Sequence, residues 1–193
     1  MQPLTRPDLL TLEAYAAGRA DFRTRVLAHK AARRVLLGDH LSLHFEDRLT
    51  VQYQVQEMLR IERIFEAAAI EDDLGAYNPL IPDGGNLKAT ALIEYADVDE
   101  RRRALERLVG IEDRVWMAIG DHAPVYAIAD EDMDRERDDK TAAVHFLRFE
   151  FSEAARAAAK AGASWRAGVD HPNYHVEVTL PAATAAALAA DFG

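Results

Sequence analysis

No cysteine occurs among the 193 residues. Disulfides, thiol nucleophiles, thiolate zinc sites and any self-held iron–sulfur cluster are thereby removed. No run approaches the roughly 18 uninterrupted apolar residues of a membrane span. The opening Met1-Gln-Pro-Leu-Thr-Arg-Pro-Asp8 has no apolar secretion core, so a cytoplasmic protein is expected. P-loop, GxGxxG, HExxH and GxSxG motifs are missing. The three serines, Ser42, Ser152 and Ser164, stand in no nucleophile-elbow context. The paired Glu-x-x-His motifs of a di-iron bundle are missing as well, and the nearest string, Glu57-Met-Leu-Arg60, has Arg where His is required.

What is present is ordinary globular material, 49% hydrophobic and 29% charged, enough to fill a core. The length suits one sizeable domain, or a small one with a helical extension. The net charge of −10 is uneven: residues 1–63 carry ten basic against eight acidic side chains, and residues 64–193 carry 13 against 25. Phosphate backbones would be repelled over most of such a surface, so no nucleic-acid partner is expected.

Helical spacing predicts a short helix capped by Thr5 and running to about Gly18, a second from Arg19 to Leu37 stopped by Gly38, and a third from Asp47 to Ala69. Between the last two, His40–Glu46 alternates like a short strand. Residues 77–86 are dense in turn formers. Strand-like runs follow at Leu87–Tyr95, Val115–Ile119, Val125–Ala129, Ala143–Phe151 and Tyr174–Leu180. The tight Gly120–Pro124 connection makes Val115–Ala129 a hairpin, and helices are predicted over 97–109, 152–161 and 181–190. The fold class is α+β: N-terminal helices followed by a mostly antiparallel five-stranded sheet covered by helices. A helical region, 1–70, and a sheet region, 71–193, are expected to form one compact unit.

Chemistry-bearing residues gather in five places. Arg19, Arg23, Arg25, Lys30, Arg33 and Arg34 make a basic helix, suited to an acidic partner or to a solvated face. Glu57, Arg60 and Glu62 sit on a helix polar on several faces, where a structural ion-pair network competes with a ligand or metal site. Asp130–Asp139 holds seven acidic residues but lacks EF-hand spacing, so a solvated loop competes with a divalent-cation site. On the Ala143–Phe151 strand, alternation places His145 with Leu147, Phe149 and Phe151, and Arg148 with Phe146 and Glu150 on the other face. Arg148 needs an anionic partner, from the protein or from a ligand. Asp170-His171-Pro-Asn-Tyr174 is either a rigid turn or an acid–base or metal-binding element.

Taken together, Arg33-Arg34, Gly38-Asp-His40, Phe45-Glu46, Gln56–Arg63, Tyr77–Gly84, Lys88-Ala-Thr90, Ala129–Asp132, Lys140-Thr141, Val144–Phe149 and Asp170–Tyr174 resemble a bacterial family of uncharacterised proteins catalogued as a domain of unknown function. The likeness spans nearly the whole chain. It implies a soluble bacterial protein often encoded beside a rubrerythrin-like protein and an iron–sulfur oxidoreductase, and so a role near oxidative-stress defence or electron transfer. It carries over no catalytic residues.

The first functional expectation is a non-redox accessory or binding protein, partnering a rubrerythrin-like or iron–sulfur protein or a second copy of itself. Its alternative is a metal-dependent enzyme or small-anion-binding protein. In that case His145, His171, Glu57 and Glu62 would hold iron, manganese or zinc. Arg148, Lys88, Thr90 and Arg60 would bind the ligand, with Asp170 nearby. That alternative requires these residues to converge in one pocket. A transcriptional regulator would rest on the basic helix alone, against the acidic total.

Overall fold

A computed structural model describes residues 1–129 and 140–193; the acidic run Asp130–Asp139 lies outside the described residues. The fold is α+β, and its strands form two antiparallel sheets rather than one.

The chain opens with a 3₁₀ turn, Arg6–Asp8, closed by a reciprocal capping box between Thr5 and Asp8. Helix α1 then runs unbroken from Leu12 to Ala31, capped by Thr11, whose hydroxyl accepts from the Ala14 N–H. The break expected at Gly18 is absent. A Cβ there would meet nothing within 4 Å, so this glycine costs the helix only its intrinsic propensity, about 1 kcal/mol, and α1 absorbs it. The second expected helix also ends early. Arg34–Leu37 is strand β1, with Val35 and Leu37 buried and Arg34 and Leu36 exposed. Its apolar residues satisfy both periods, and pairing with β2 (Leu41–Phe45) decides between them.

Helix α2 (Arg48–Glu62) starts at Asp47, whose side chain accepts from the Thr50 N–H while the Thr50 hydroxyl accepts from the Asp47 N–H. Arg63 adopts a left-handed conformation, φ 55°, and ends α2. The single helix expected over 47–69 is therefore two, the second being α3 (Ala67–Tyr77). There follow β3 (Asn86–Ile93), α4 (Val98–Arg107), β4 (Val115–Ile119), β5 (Val125–Tyr126), β6 (Ile128–Ala129), β7 (Val144–Glu150), α5 (Glu153–Lys160), β8 (Trp165–His171), β9 (Tyr174–Thr179) and α6 (Ala182–Ala189).

One sheet has the order β1-β2-β3-β7-β6 and the other β5-β4-β8-β9. The expected 115–129 hairpin is real only where Trp116 and Met117 face Tyr126 and Val125. At Ala127 the chain changes sheets, its N–H reaching the Val115 carbonyl at 2.8 Å, and β6 pairs with β7. β8 is a strand that sequence reading omits. Trp165, Ala167 and Val169 are buried, but Gly168 between them has low strand propensity. Gly168 is required there, because an added Cβ would lie 2.5 Å from the Val176 carbonyl oxygen and 2.6 Å from the Trp116 ring.

The inner faces of both sheets share one core with α4, α5 and α6, including Leu43, Phe45, Phe149, Met117 and Trp165. A second cluster joins Leu4, Val51, Val55, Leu59, Leu74 and Ile81. The outer face of the five-stranded sheet is only partly roofed, and the cleft described next lies on it.

Candidate functional site

Alternation along β3 sends Leu87, Ala89, Ala91 and Ile93 into the core and leaves Lys88, Thr90 and Leu92 on the outer face. On β7, His145, Leu147 and Phe149 are buried, whereas Phe146 and Arg148 turn outward. Register then assembles rows across strands. Arg34, His44, Thr90 and Phe146 form one, and Leu36, Ser42, Leu92 and Val144 the next; Lys88 stands opposite Arg148. The structure thus places Lys88, Thr90 and Arg148, three of the four ligand-binding candidates, on one sheet face.

The end of α1, α2 and the 3₁₀ turn Asn78–Leu80 rise over this face and leave a cleft of about 350 Å³, lined by Lys30, His44, Glu46, Leu80, Thr90 and Phe146 among others. Glu46 is held from two sides. Thr90 Oγ1 donates to Oε1 at 2.9 Å and Thr50 Oγ1 donates to Oε2 at 2.6 Å. Its carbonyl oxygen accepts from Arg33 Nη2 at 3.2 Å. This carboxylate is fixed before any ligand arrives.

His44 Nε2 lies 3.0 Å from Ser42 Oγ, and Ser42 Oγ donates to Glu94 Oε2 at 3.2 Å. A hydroxyl has one proton to give, so Nε2 carries the imidazole hydrogen and Nδ1 the lone pair. Burial, reinforced by the charges of Arg34 and Lys30, pushes the His44 pKa below its usual 6.5. Both effects favour the neutral ring.

Other candidates are engaged within the protein. Lys88 Nζ donates to the Pro79 carbonyl, and Arg148 pairs with Glu150, the carboxylate its outward position called for. Glu57 takes a two-pronged bond from Arg19, 2.7 Å to each oxygen, and one from the Tyr15 hydroxyl at 2.7 Å. Chiefly through the Arg19 bonds, its pKa falls from 4.5 to about 2. Arg60 approaches the same carboxylate at 3.7 Å, and Glu62 is exposed at the end of α2. This is a structural ion-pair cluster.

His171 and His145 stand in different sheets. Both nitrogens of His171 are used: Nε2–H donates to the Val109 carbonyl and Nδ1 accepts from the Asn173 N–H, each at 3.1 Å, which fixes the β8–β9 turn. Asp170 beside it meets His175 at 3.4 Å. His145 Nε2 lies 2.8 Å from Thr141 Oγ1 and 3.0 Å from the Ala142 carbonyl, while Thr141 Oγ1 donates to Glu112 Oε2 at 3.0 Å. Glu112, Thr141 and His145 are all buried. Among the described residues, no three or more His, Asp or Glu side chains are grouped to hold a metal ion. No helix among them is long and apolar enough to cross a membrane.

The sequence alone does not mark His44 and Glu46 as site residues. The signal it does carry is alternation: Ser42, His44 and Glu46 recur at every second position, while Leu41, Leu43 and Phe45 alternate with them.

Residues 3–192 match the family described as "Protein of unknown function (DUF3501)". The chain is also similar to a crystal structure of a novel protein of unknown function from Burkholderia pseudomallei K96243, at 54% identity and a TM-score of 0.95 over 100% of both chains. No curated protein matches. The chain belongs to the DUF3501 family.

Proposed function

We propose that this family member is a cytoplasmic binding protein without a thiol or cluster redox centre of its own, accessory to a bacterial oxidative-stress or electron-transfer system, and that its cleft holds a small organic ligand. The observation that carries the binding reading is Glu46. Two hydroxyls from different elements, Thr50 on α2 and Thr90 on β3, orient its carboxylate in a concave space whose other wall is apolar, at Leu92 and Phe146. Small-molecule sites commonly combine a few fixed polar groups with an apolar lining in roughly 300–1,000 Å³. The absence of cysteine supports a non-redox member of the system. Its partner on this reading is a rubrerythrin-like or iron–sulfur protein, which would carry the electrons.

The test is a titration followed by amide NMR, using a panel of small organic acids, amines and polyols. Ligand-dependent shifts are expected to concentrate at His44, Thr90 and Phe146, and to weaken in Thr90→Val. Shifts scattered over the surface, or none at millimolar concentrations, would rule the cleft out as a ligand site.

A further inference from the structure

We propose that the ligand is a small organic carboxylate whose anionic end meets Lys30 and His44, with its apolar body against Leu92 and Phe146; this rests on the binding reading above. The first support is an imbalance between occupied and open groups. Lys88 and Arg148, the cations of the neighbouring row, are engaged by the Pro79 carbonyl and by Glu150. Among the described residues, Lys30 Nζ makes no hydrogen bond or ion pair, and neither the Gln54 amide nor the Tyr77 hydroxyl has a partner, although all three line the cleft. Both oxygens of Glu46, by contrast, already accept a hydroxyl proton. The open cation of the cleft, Lys30, therefore favours an anionic, acceptor-rich group, to which the Gln54 amide and the Tyr77 hydroxyl can also donate.

The second support is the setting of His44. Arg34 stands directly across from it on β1, and Lys30 reaches it from α1. The carboxylates facing it are Glu46, capped by two threonines, and Glu94, which accepts from Ser42 and stands 3.8 Å from Arg34. His44 Nδ1 has no partner among the described residues. An anion placed between Lys30 and His44 would favour the imidazolium, whose Nδ1–H could then donate to it. The nearby charge of Glu46 disfavours a dianion, so the carboxylate class is preferred over a phosphate.

Three probes of matched shape decide the matter: benzoate, benzamide and benzylamine. Binding is followed by amide NMR and by pH titration of the His44 ring, identified by its loss in His44→Gln. Benzoate is expected to bind most tightly and to raise the His44 pKa by about one unit, equivalent to about tenfold tighter binding to the protonated form. Its advantage over benzamide is expected to vanish in Lys30→Met and persist in Lys30→Arg. If benzamide or benzylamine binds as tightly, or benzoate leaves the His44 pKa where it was, the carboxylate assignment falls and the binding reading stands. If none of the three moves the resonances of His44, Thr90 or Phe146, the carboxylate assignment falls, and the binding reading falls with it when the acid, amine and polyol panel is equally silent.

Discussion

Arg33 and Asp191 lie 158 positions apart in the chain and meet as an ion pair buried on both sides. The same guanidinium stands 3.5 Å from Asp47, which in turn meets His29 Nε2 at 2.5 Å. Burial pushes the Asp191 carboxyl up, and the Arg33 bonds only partly offset it. At Asp47 burial acts in the same sense, but Arg33, the Thr50 N–H and His29 together bring the pKa below its usual value. One cation thus stabilises two carboxylates while also donating to the carbonyls of Phe45, Glu46 and Ala187.

Removing that cation leaves two buried acids without it. Arg33→Met is expected to cost about 3–5 kcal/mol in urea denaturation, the usual price of breaking a buried pair from one side. Asp191→Asn is expected to cost less, because Asp47 still faces Arg33. A loss below about 1 kcal/mol for Arg33→Met would show that the pair does not hold the C-terminal segment in place.

Glu57 sets a pH dependence of definite sign. Its folded pKa, about 2, lies below its ordinary 4.5. The stability it contributes is complete above 4.5 and is lost as pH falls toward 2. Asp191, shifted the other way, acts oppositely by favouring its protonated form. Urea midpoints measured between these limits are expected to decline less steeply in Glu57→Gln than in the wild type. Parallel slopes would mean that the Arg19 fork contributes nothing to acid sensitivity.

Gly168→Ala is expected to lower stability by about 1–3 kcal/mol, the range for forcing extra volume into a packed region. Its methyl group would press on the Trp116 ring and on backbone of β9, neither of which yields as a flexible side-chain tip does. Thermal melts followed by tryptophan fluorescence report both the loss and the displaced indole. An unchanged melting temperature would contradict the packing described.

The Tyr174 hydroxyl donates to the Leu37 carbonyl at 2.5 Å and accepts from the His40 N–H at 3.2 Å, tying β9 to the β1–β2 turn. Gly38, at φ 72°, leaves the room: a Cβ there would be 2.7 Å from that oxygen. Tyr174→Phe is expected to cost about 1 kcal/mol. The His40 amide is expected to exchange with solvent faster, with β3 amides unaffected. Equal protection at His40 would place the tie elsewhere.

Much of the strand content was readable because burial imposes a period of two. The division of β7 into a His145 face and an Arg148 face is the plainest example, and the α2 start at Asp47 was also visible. Sequence reading went astray where one residue satisfied two patterns. Val35 and Leu36 continue a helix stripe that begins at Phe22, and only the pairing of Val35 with Leu43 and of Leu36 with Ser42 makes the segment a strand. Glu57 could be seen near Arg60, but its stronger partner, Arg19, comes from another helix. The cleft shows the same limit. Alternation places His44 and Glu46 on one face, yet the concavity exists only because Lys30, Gln54 and Leu80 arrive from distant segments.

The sheet change at Ala127 bears on how the molecule comes apart. The residues before it belong to the edge of one sheet and those after it to the edge of the other, so a single short segment seams the two together. Peeling β6 from β7 pulls directly on β5, and loosening β5 frays β4. Neither of these two edge strands can leave its sheet without pulling on the other. Loss of order at the cleft face is accordingly expected to reach the opposite layer along the main chain itself.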